Sequence, residues 1–410
     1  MAYIERAITP VLKDRAKKSK CFLLNGARQV GKSTLLNHVF PEYNKVSFDD
    51  RLMRLQAREE PRLFFLNNPR PLFIDEVQKE NSILEEIKLL VDQSNARGEF
   101  ILSGSQNLEL MKGMSESLAG RVSIMELSGL SLREIYKVAF NRHFIPNEEY
   151  IKAREMELKR YDNIWNIVHR GSYPELYDID RDWQDFYSSY VSTYLERDIN
   201  ELISTDSLTF TKFLTAVAAR TGEMLNYANI AGEVGVSEPT VKSWISVLER
   251  TGIVYILQPY SDSALSRAIK TPKLYFRDTG LACYLTRWLT ADALKNSAVA
   301  GNMFETFVVS EILKSYSNEG KDYRFSIFYY RGKDKRVSGE NEIDLIIQED
   351  GVLYPVEIKM TGNPKASMGS TNTVLDKIPD KKRGIGIILC LIDKKTYLRD
   401  NLIALPLEYI

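Results

Sequence analysis

Gly26-Ala27-Arg28-Gln29-Val30-Gly31-Lys32-Ser33 is a complete G-x-x-x-x-G-K-[ST] loop. An apolar run, Cys21-Phe22-Leu23-Leu24, precedes it, and a helix-like stretch from Thr34 to Phe40 follows. Strand, loop and helix in that order are what a phosphate cradle requires. Gly26 and Gly31 let the backbone N–H groups of Ala27, Arg28, Gln29 and Val30 turn inward without a Cβ clash. The helix start at Ser33 and Thr34 adds unpaired amide donors and the positive end of the helix dipole. Lys32 is expected to reach the β- and γ-phosphates of ATP, and Ser33 to ligate Mg²⁺.

Pro71-Leu72-Phe73-Ile74-Asp75-Glu76 is a short apolar strand ending in two acids. Asp75 is expected to hold the Mg²⁺ shell. Glu76, one residue on, points to the other face and is the expected base for the water that attacks the γ-phosphate. A third apolar strand, Phe100-Ile101-Leu102, ends in Ser103-Gly104-Ser105-Gln106. Parallel strands deliver their carboxyl ends to one crevice, so Ser105 or Gln106 is a candidate partner for the γ-phosphate or the water. A turn selected for the backbone freedom of Gly and Ser explains the same residues equally well.

The 410 residues suggest two to four domains. Hydrophobic residues make up 44% and charged residues 27%, as in soluble proteins. The 55 basic and 55 acidic side chains cancel, so binding to nucleic acid or an anionic membrane must come from local patches. Cys21, Cys283 and Cys390 are far apart in apolar contexts, which predicts reduced, buried thiols in a cytoplasmic protein. With only His38, His143 and His169, a Cys/His zinc site is not expected. The N-terminus lacks the apolar core of a signal peptide, and apolar runs such as 385–392 are too short to span a bilayer.

From about 20 to 135, strands and helices alternate as in a parallel sheet with crossover helices. Residues 147–160 are densely charged and predict an exposed helix between modules. Residues 161–225 are aromatic-rich with a helical period, a pattern of core packing. Between 227 and 257, one helix carries Ile230, Ala231 and Val234, and a second, capped by Ser237, carries Val241, Trp244, Ile245 and Leu248. A strand 253–257 follows, which completes a winged helix-turn-helix pattern. Its Lys242 and Arg250 are outnumbered by Glu233, Glu238 and Glu249. DNA readout usually needs a basic footprint, so a structural or protein-contacting role is at least as well supported as DNA binding. The expected units are 1–145, 146–225, 226–285 and 286–410.

The last of these units carries a second constellation. An amphipathic helix opening at Gly301 bears Glu305, and a basic loop holds Arg331, Lys333, Lys335 and Arg336. Two strands joined by a turn at Asp350-Gly351 place Asp344 and Glu357 side by side, with Lys359 on the same strand face as Glu357. Carboxylates from Glu305, Asp344 and Glu357 around one point would form a hard-oxygen site for Mg²⁺ or Mn²⁺. The metal would supply hydroxide for phosphodiester cleavage, with Lys359 orienting the water. A hairpin edge studded with salt-bridged charges is the alternative.

With these residues in view, the chain resembles prokaryotic AAA-type ATPases whose C-terminal domain of unknown function is similar to the PD-(D/E)xK restriction-endonuclease superfamily. The resemblance rests on 26–33, 71–76, 103–105, Ser117-Leu118-Ala119-Gly120-Arg121, Tyr194-Leu195-Glu196-Arg197-Asp198, the helix pair, 273–281 and the 342–359 hairpin. It implies an α/β architecture in three parts: a P-loop parallel-sheet ATPase domain, a helical segment with a winged helix, and a restriction-endonuclease-like α/β domain. It also implies that Arg121 acts as a finger on a neighbour's nucleotide in a homo-oligomer. No second sensor arginine matches, and no role follows for Tyr194 to Asp198. A nucleotide-regulated binding switch, or a toxin–antitoxin-like partner protein that ATP only stabilises, are the rivals to an ATPase with a nuclease-like module.

Overall fold

A computed structural model describes residues 3–105, 118–177, 181–199, 205–260, 271–333 and 340–410. Gln106, Ser117, Lys335 and Arg336 therefore lie outside the described residues, as do the side chains of Lys333, Glu196, Arg197 and Asp198.

Helix α1 (Thr9–Lys18) leads into a five-stranded, wholly parallel sheet. Its strands are β1 (Cys21–Gly26), β2 (Asn44–Ser47), β3 (Leu72–Asp75), β4 (Phe100–Ser105) and β5 (Val122–Glu126), in the order β2-β3-β4-β1-β5. Helices α2 (Lys32–Val39), α3 (Arg51–Glu59), α4 (Pro61–Asn67) and α5 (Ile83–Gln93) make the crossovers. Both faces of the sheet are covered, which is why β1 is apolar without interruption rather than alternating. Phe22 and Leu24 pack into one core, and Cys21 and Leu23 into the other. Strand β4 lies between the acid-bearing β3 and the loop-bearing β1, so Asp75 faces the loop across one strand.

The first of these cores continues without a break from Ile8 to Ile410. The aromatic segment feeds it with Tyr173, Phe186, Tyr187, Tyr190 and Tyr194, as its period predicts. The expected exposed helix at 147–160 is shorter, Glu148–Glu155, and is not a solvated spacer. Tyr150 and Arg154 are fully buried, and Tyr150 Oη donates to the Tyr409 carbonyl. Charge density concealed two anchoring side chains whose polar ends find partners inside.

Helices Tyr227–Val234 and Glu238–Arg250 are joined by Gly235 in the left-handed region, and Ser237 Oγ caps the second by accepting from Thr240 N. The antiparallel strands β7 (Val254–Leu257) and β8 (Lys273–Phe276) follow, with β6 (Glu223–Met224) on the far edge of β8.

The helix expected to be amphipathic from Gly301 is Ala300–Asn318, and most of its circumference is buried. It lies between the N-terminal sheet and the C-terminal one: Glu311 accepts from Leu132 N at 2.7 Å, and Lys314 donates to the Leu130 carbonyl at 2.9 Å. The C-terminal sheet comprises β9 (Ile327–Lys333), β10 (Glu340–Glu349), β11 (Val352–Lys359), β12 (Lys382–Arg383), β13 (Gly386–Cys390), β14 (Thr396–Arg399) and β15 (Leu402–Pro406). Strands β9, β10 and β11 are antiparallel, whereas β11, β13 and β15 are parallel. Cys21, Cys283 and Cys390 are free and buried. Among the described residues, no helix is long and apolar enough to cross a membrane.

Candidate functional site

The loop after β1 is held open by its own backbone. Gly26, Gln29 and Gly31 have φ values of 152°, 63° and 91°. A Cβ on Gly26 would sit 2.3 Å from the Leu127 carbonyl oxygen, so no other residue fits there. The loop is also clamped from outside by Arg6, which is buried and belongs to no motif. Its guanidinium donates to the carbonyls of Val30 (2.8 Å) and Ser128 (2.6 Å) and pairs with Glu134 at 2.9 Å.

Lys32 is 5% exposed, and its ammonium donates to the carbonyls of Gly26 (3.1 Å) and Ala27 (2.9 Å). Burial lowers its pKa to about 8, with Glu76 and Asp75 opposing the shift and Arg28 adding to it. A buried cation beside a cradle of amides, with two carboxylates across the crevice, fits a polyphosphate. Ser33 and Thr34 follow Lys32 in the first turn of α2.

Asp75 and Glu76 sit at the carboxyl end of β3, where Ser103 Oγ donates to Asp75 Oδ1. Sequence reasoning passed over Ser103; the strand pairing, not any motif, sets it beside Asp75. Glu76 has φ 55° and accepts from Gln78 Nε2. Ser105 is the direct neighbour of Gly26 across the β1–β4 ladder, and its hydroxyl is buried without a partner. Gly26 to Thr34, Asp75, Glu76 and Ser105 thus converge on one crevice. Ser33 and Asp75 supply the oxygen donors that Mg²⁺ favours.

Arg121 does not join them. It precedes β5, whose Val122 lies beside Cys21, so it occupies the opposite end of the sheet from Gly26. There it pairs on the surface with Asp92 at 2.6 Å. Nucleotide held by its own chain is out of its reach. The Tyr194 segment, by contrast, does meet the loop: the Arg28 guanidinium lies 5.3 Å from the Tyr194 ring centroid.

Because the free protein disfavours the Lys32 ammonium and bound phosphate favours it, nucleotide binding takes up a proton above about pH 8. Affinity is therefore expected to fall by roughly an order of magnitude between about pH 7.5 and about pH 9.5. Calorimetric titration in buffers of different ionisation enthalpy checks this, and a flat profile with no proton uptake sinks it.

The second constellation assembles around β10 and β11. Asp344 Oδ2 accepts from Ile358 N at 2.8 Å and from Lys359 Nζ at 2.8 Å, and Lys359 also pairs with Glu357 at 2.9 Å. Glu357 Oε1 is buried without a partner. Burial and the adjacent Asp344 push the Glu357 carboxyl well above the usual range, against the pull of Lys359. Glu305, expected to share one metal with them, is held by Lys273 Nζ at 3.0 Å and Tyr275 Oη at 2.6 Å, and burial and the nearby Asp344 carboxylate raise its pKa. Among the described residues, no three His, Cys, Asp or Glu side chains are grouped to hold a metal ion. Asp344 and Glu357 are thus closed by Lys359, and Glu305 by Lys273 and Tyr275. One further cation was not foreseen, Lys273, which lies in the quoted 273–281 stretch, where Lys273, Tyr275 and Arg277 alternate with apolar residues.

The N-terminal part of the chain carries a P-loop on a parallel α/β sheet, and residues 18–136 match the AAA domain family model. Residues 161–292 match a domain of unknown function, DUF8612, and residues 300–410 another, DUF4143. Two relatives from Mycobacterium bovis and Mycobacterium tuberculosis, the uncharacterized proteins Mb2031c and Rv2008c, are each 27% identical over 361 residues, covering 86% of this chain and 73% of theirs. The uncharacterized protein MJ1637 of Methanocaldococcus jannaschii is 25% identical over 84% of this chain and 83% of its own. Among solved structures, a Walker-type ATPase of Pyrococcus abyssi overlaps 69% of this chain and 96% of its own at 16% identity, with a TM-score of 0.41. RuvB of Thermotoga maritima overlaps 60% of this chain and 85% of its own at 18% identity, with a TM-score of 0.30.

Proposed function

We propose that this chain hydrolyses ATP at the P-loop and couples its nucleotide state to a nuclease-like module at its C-terminus. The buried Lys32 ammonium facing Asp75 and Glu76 is the observation that carries the first half. The amides from Ala27 to Gly31 cradle the phosphates, and Lys32 blunts the charge on the β- and γ-groups. Ser33 and Asp75 hold Mg²⁺, which when bound neutralises charge developing between those groups. Glu76 takes the proton of the attacking water, and the Ser105 hydroxyl orients the water or the γ-phosphate. Arg121, at the far end of the sheet, serves a neighbour's nucleotide in a homo-oligomer.

The proposed units are 1–145, 146–225, 226–285 and 286–410, with the third acting as a winged helix that meets DNA or protein. In the fourth, Asp344 and Glu357 hold Mg²⁺ or Mn²⁺, and Lys359 orients the water that attacks a phosphodiester. The orphaned, buried oxygen of Glu357 supports a missing cation there.

A second reading, a nucleotide-regulated binding switch whose nuclease-like module does not cut, is favoured by one observation: lysines already engage each of the three carboxylates. Glu76→Gln is expected to lower ATP turnover by about a hundredfold or more while leaving ATP binding in place. Unchanged turnover removes Glu76 as the base. Cleavage assays with Mg²⁺ or Mn²⁺, on single- and double-stranded DNA and on RNA, separate the two readings. Cutting that is lost in Asp344→Ala and Lys359→Ala supports the nuclease; no cutting by the parent on any substrate leaves the switch.

A further inference from the structure

Strand β8 sends alternate side chains to one face, as any strand does. Lys273 and Tyr275 from that face enter the acidic cluster of the C-terminal module, although β8 pairs with β6 and β7 and not with the C-terminal sheet. Lys273 is 4% exposed. Its ammonium lies 3.0 Å from Glu305 and 2.6 Å from Glu342, over the Tyr329 ring at 5.8 Å. Tyr275 completes the hold on Glu305 at 2.6 Å.

Lys273 bridges Glu305 and Glu342, and Lys359 bridges Asp344 and Glu357, while Arg331 is the neighbour of Glu342 across the β9–β10 ladder. The carboxylate oxygen that lacks any partner belongs to Glu357, whose side chain is 4% exposed, and it lies on the Asp344 side of the cluster. On the other side, Glu305 and Glu342 already share a cation.

We propose that Lys273 is a resident cation that takes the place of a second metal, so the cluster admits a single divalent ion, at Asp344 and Glu357, and Glu305 is not a ligand. This rests on the metal-site reading of Asp344 and Glu357. Lys273 is a positioning residue: it holds Glu305 and Glu342 together and sets the number of ions bound.

Mn²⁺ binding to the nucleotide-free full chain, counted as the difference from Asp344→Asn, reads the site without catalysis. The parent is expected to bind one Mn²⁺. Lys273→Met frees Glu305 and Glu342 and is expected to bind one more; an unaltered count overturns the proposal. If Lys273→Met does not fold, Lys273→Met/Glu305→Gln removes one charge of each sign. It is expected to keep one Mn²⁺ with an affinity within about threefold of the parent. A loss of about tenfold or more there makes Glu305 a ligand and overturns the proposal. If parent and Asp344→Asn bind Mn²⁺ alike, the metal reading itself fails and takes this proposal with it; if only the Lys273 variants miss expectation, the metal reading stands.

Discussion

Replacing Lys32 with alanine is expected to weaken ATP binding by about a hundredfold to a thousandfold while leaving the unliganded fold at least as stable. A unit charge about 4 Å from a phosphate oxygen is worth roughly 4 kcal/mol at the effective dielectric of a protein crevice, and each tenfold in affinity is about 1.4 kcal/mol. The lower end of the range allows for water entering the vacated space. The stability half has a separate cause. Without nucleotide, Lys32 is a buried cation with only the carbonyls of Gly26 and Ala27 as hydrogen-bond partners, and burial already lowers its pKa to about 8. Deleting it removes that desolvation cost. Calorimetry for ATP and thermal unfolding of the nucleotide-free variant check the two halves separately. Affinity within a factor of about three of the parent overturns the phosphate-binding role of Lys32.

Arg6→Ala is expected to cost about 3–5 kcal/mol of stability, the range for breaking a buried ion pair by removing one member. The Arg6 and Glu134 side chains are 4% and 2% exposed, so water does not replace the lost partner. Glu134 keeps donors from Ala7 N, Ser131 N and Ser131 Oγ, at 2.8, 2.7 and 3.0 Å. The carbonyls of Val30 and Ser128 lose the donor that Arg6 supplies. Val30 belongs to the phosphate loop, so ATP affinity falls with stability. Removing both charges in Arg6→Met/Glu134→Gln is expected to recover part of the loss, because no unpaired buried charge remains. Denaturant unfolding of the three variants checks this. A loss below about 1 kcal/mol in Arg6→Ala sinks it.

The P-loop was readable because its demands are local. Two glycines, a lysine and a hydroxyl at set spacing on a strand–loop–helix unit specify the backbone that phosphate needs, and Gly26 and Gly31 take positive φ values in that loop. The hairpin carrying Asp344, Glu357 and Lys359 was readable for the same reason: period-two alternation and a turn at Asp350-Gly351 set neighbours on two strands. Arg6 was not readable, because its partners Glu134 and Ser128 lie more than a hundred residues away. Ser103 escaped because strand order, not strand content, sets it beside Asp75. The charged stretch around Tyr150 and Arg154 misled for a related reason. Charge density predicts exposure only when no partner waits in the interior, and here Tyr409 and Tyr161 do.

Glu305 separates the two kinds of information. Chain chemistry alone set a carboxylate near the start of a helix, before an Asp and Glu-x-Lys hairpin, and so invited a three-ligand metal site. Packing of the helix Ala300–Asn318 against β8 brought Lys273 and Tyr275 to that carboxylate. Short-range patterns specify the backbone nest, the strand faces and the caps, since those depend on dihedral preference and spacing within a few residues. Which charges neutralise which depends on contacts between segments distant in the chain, and a buried ionic group takes whatever partner folding places within reach.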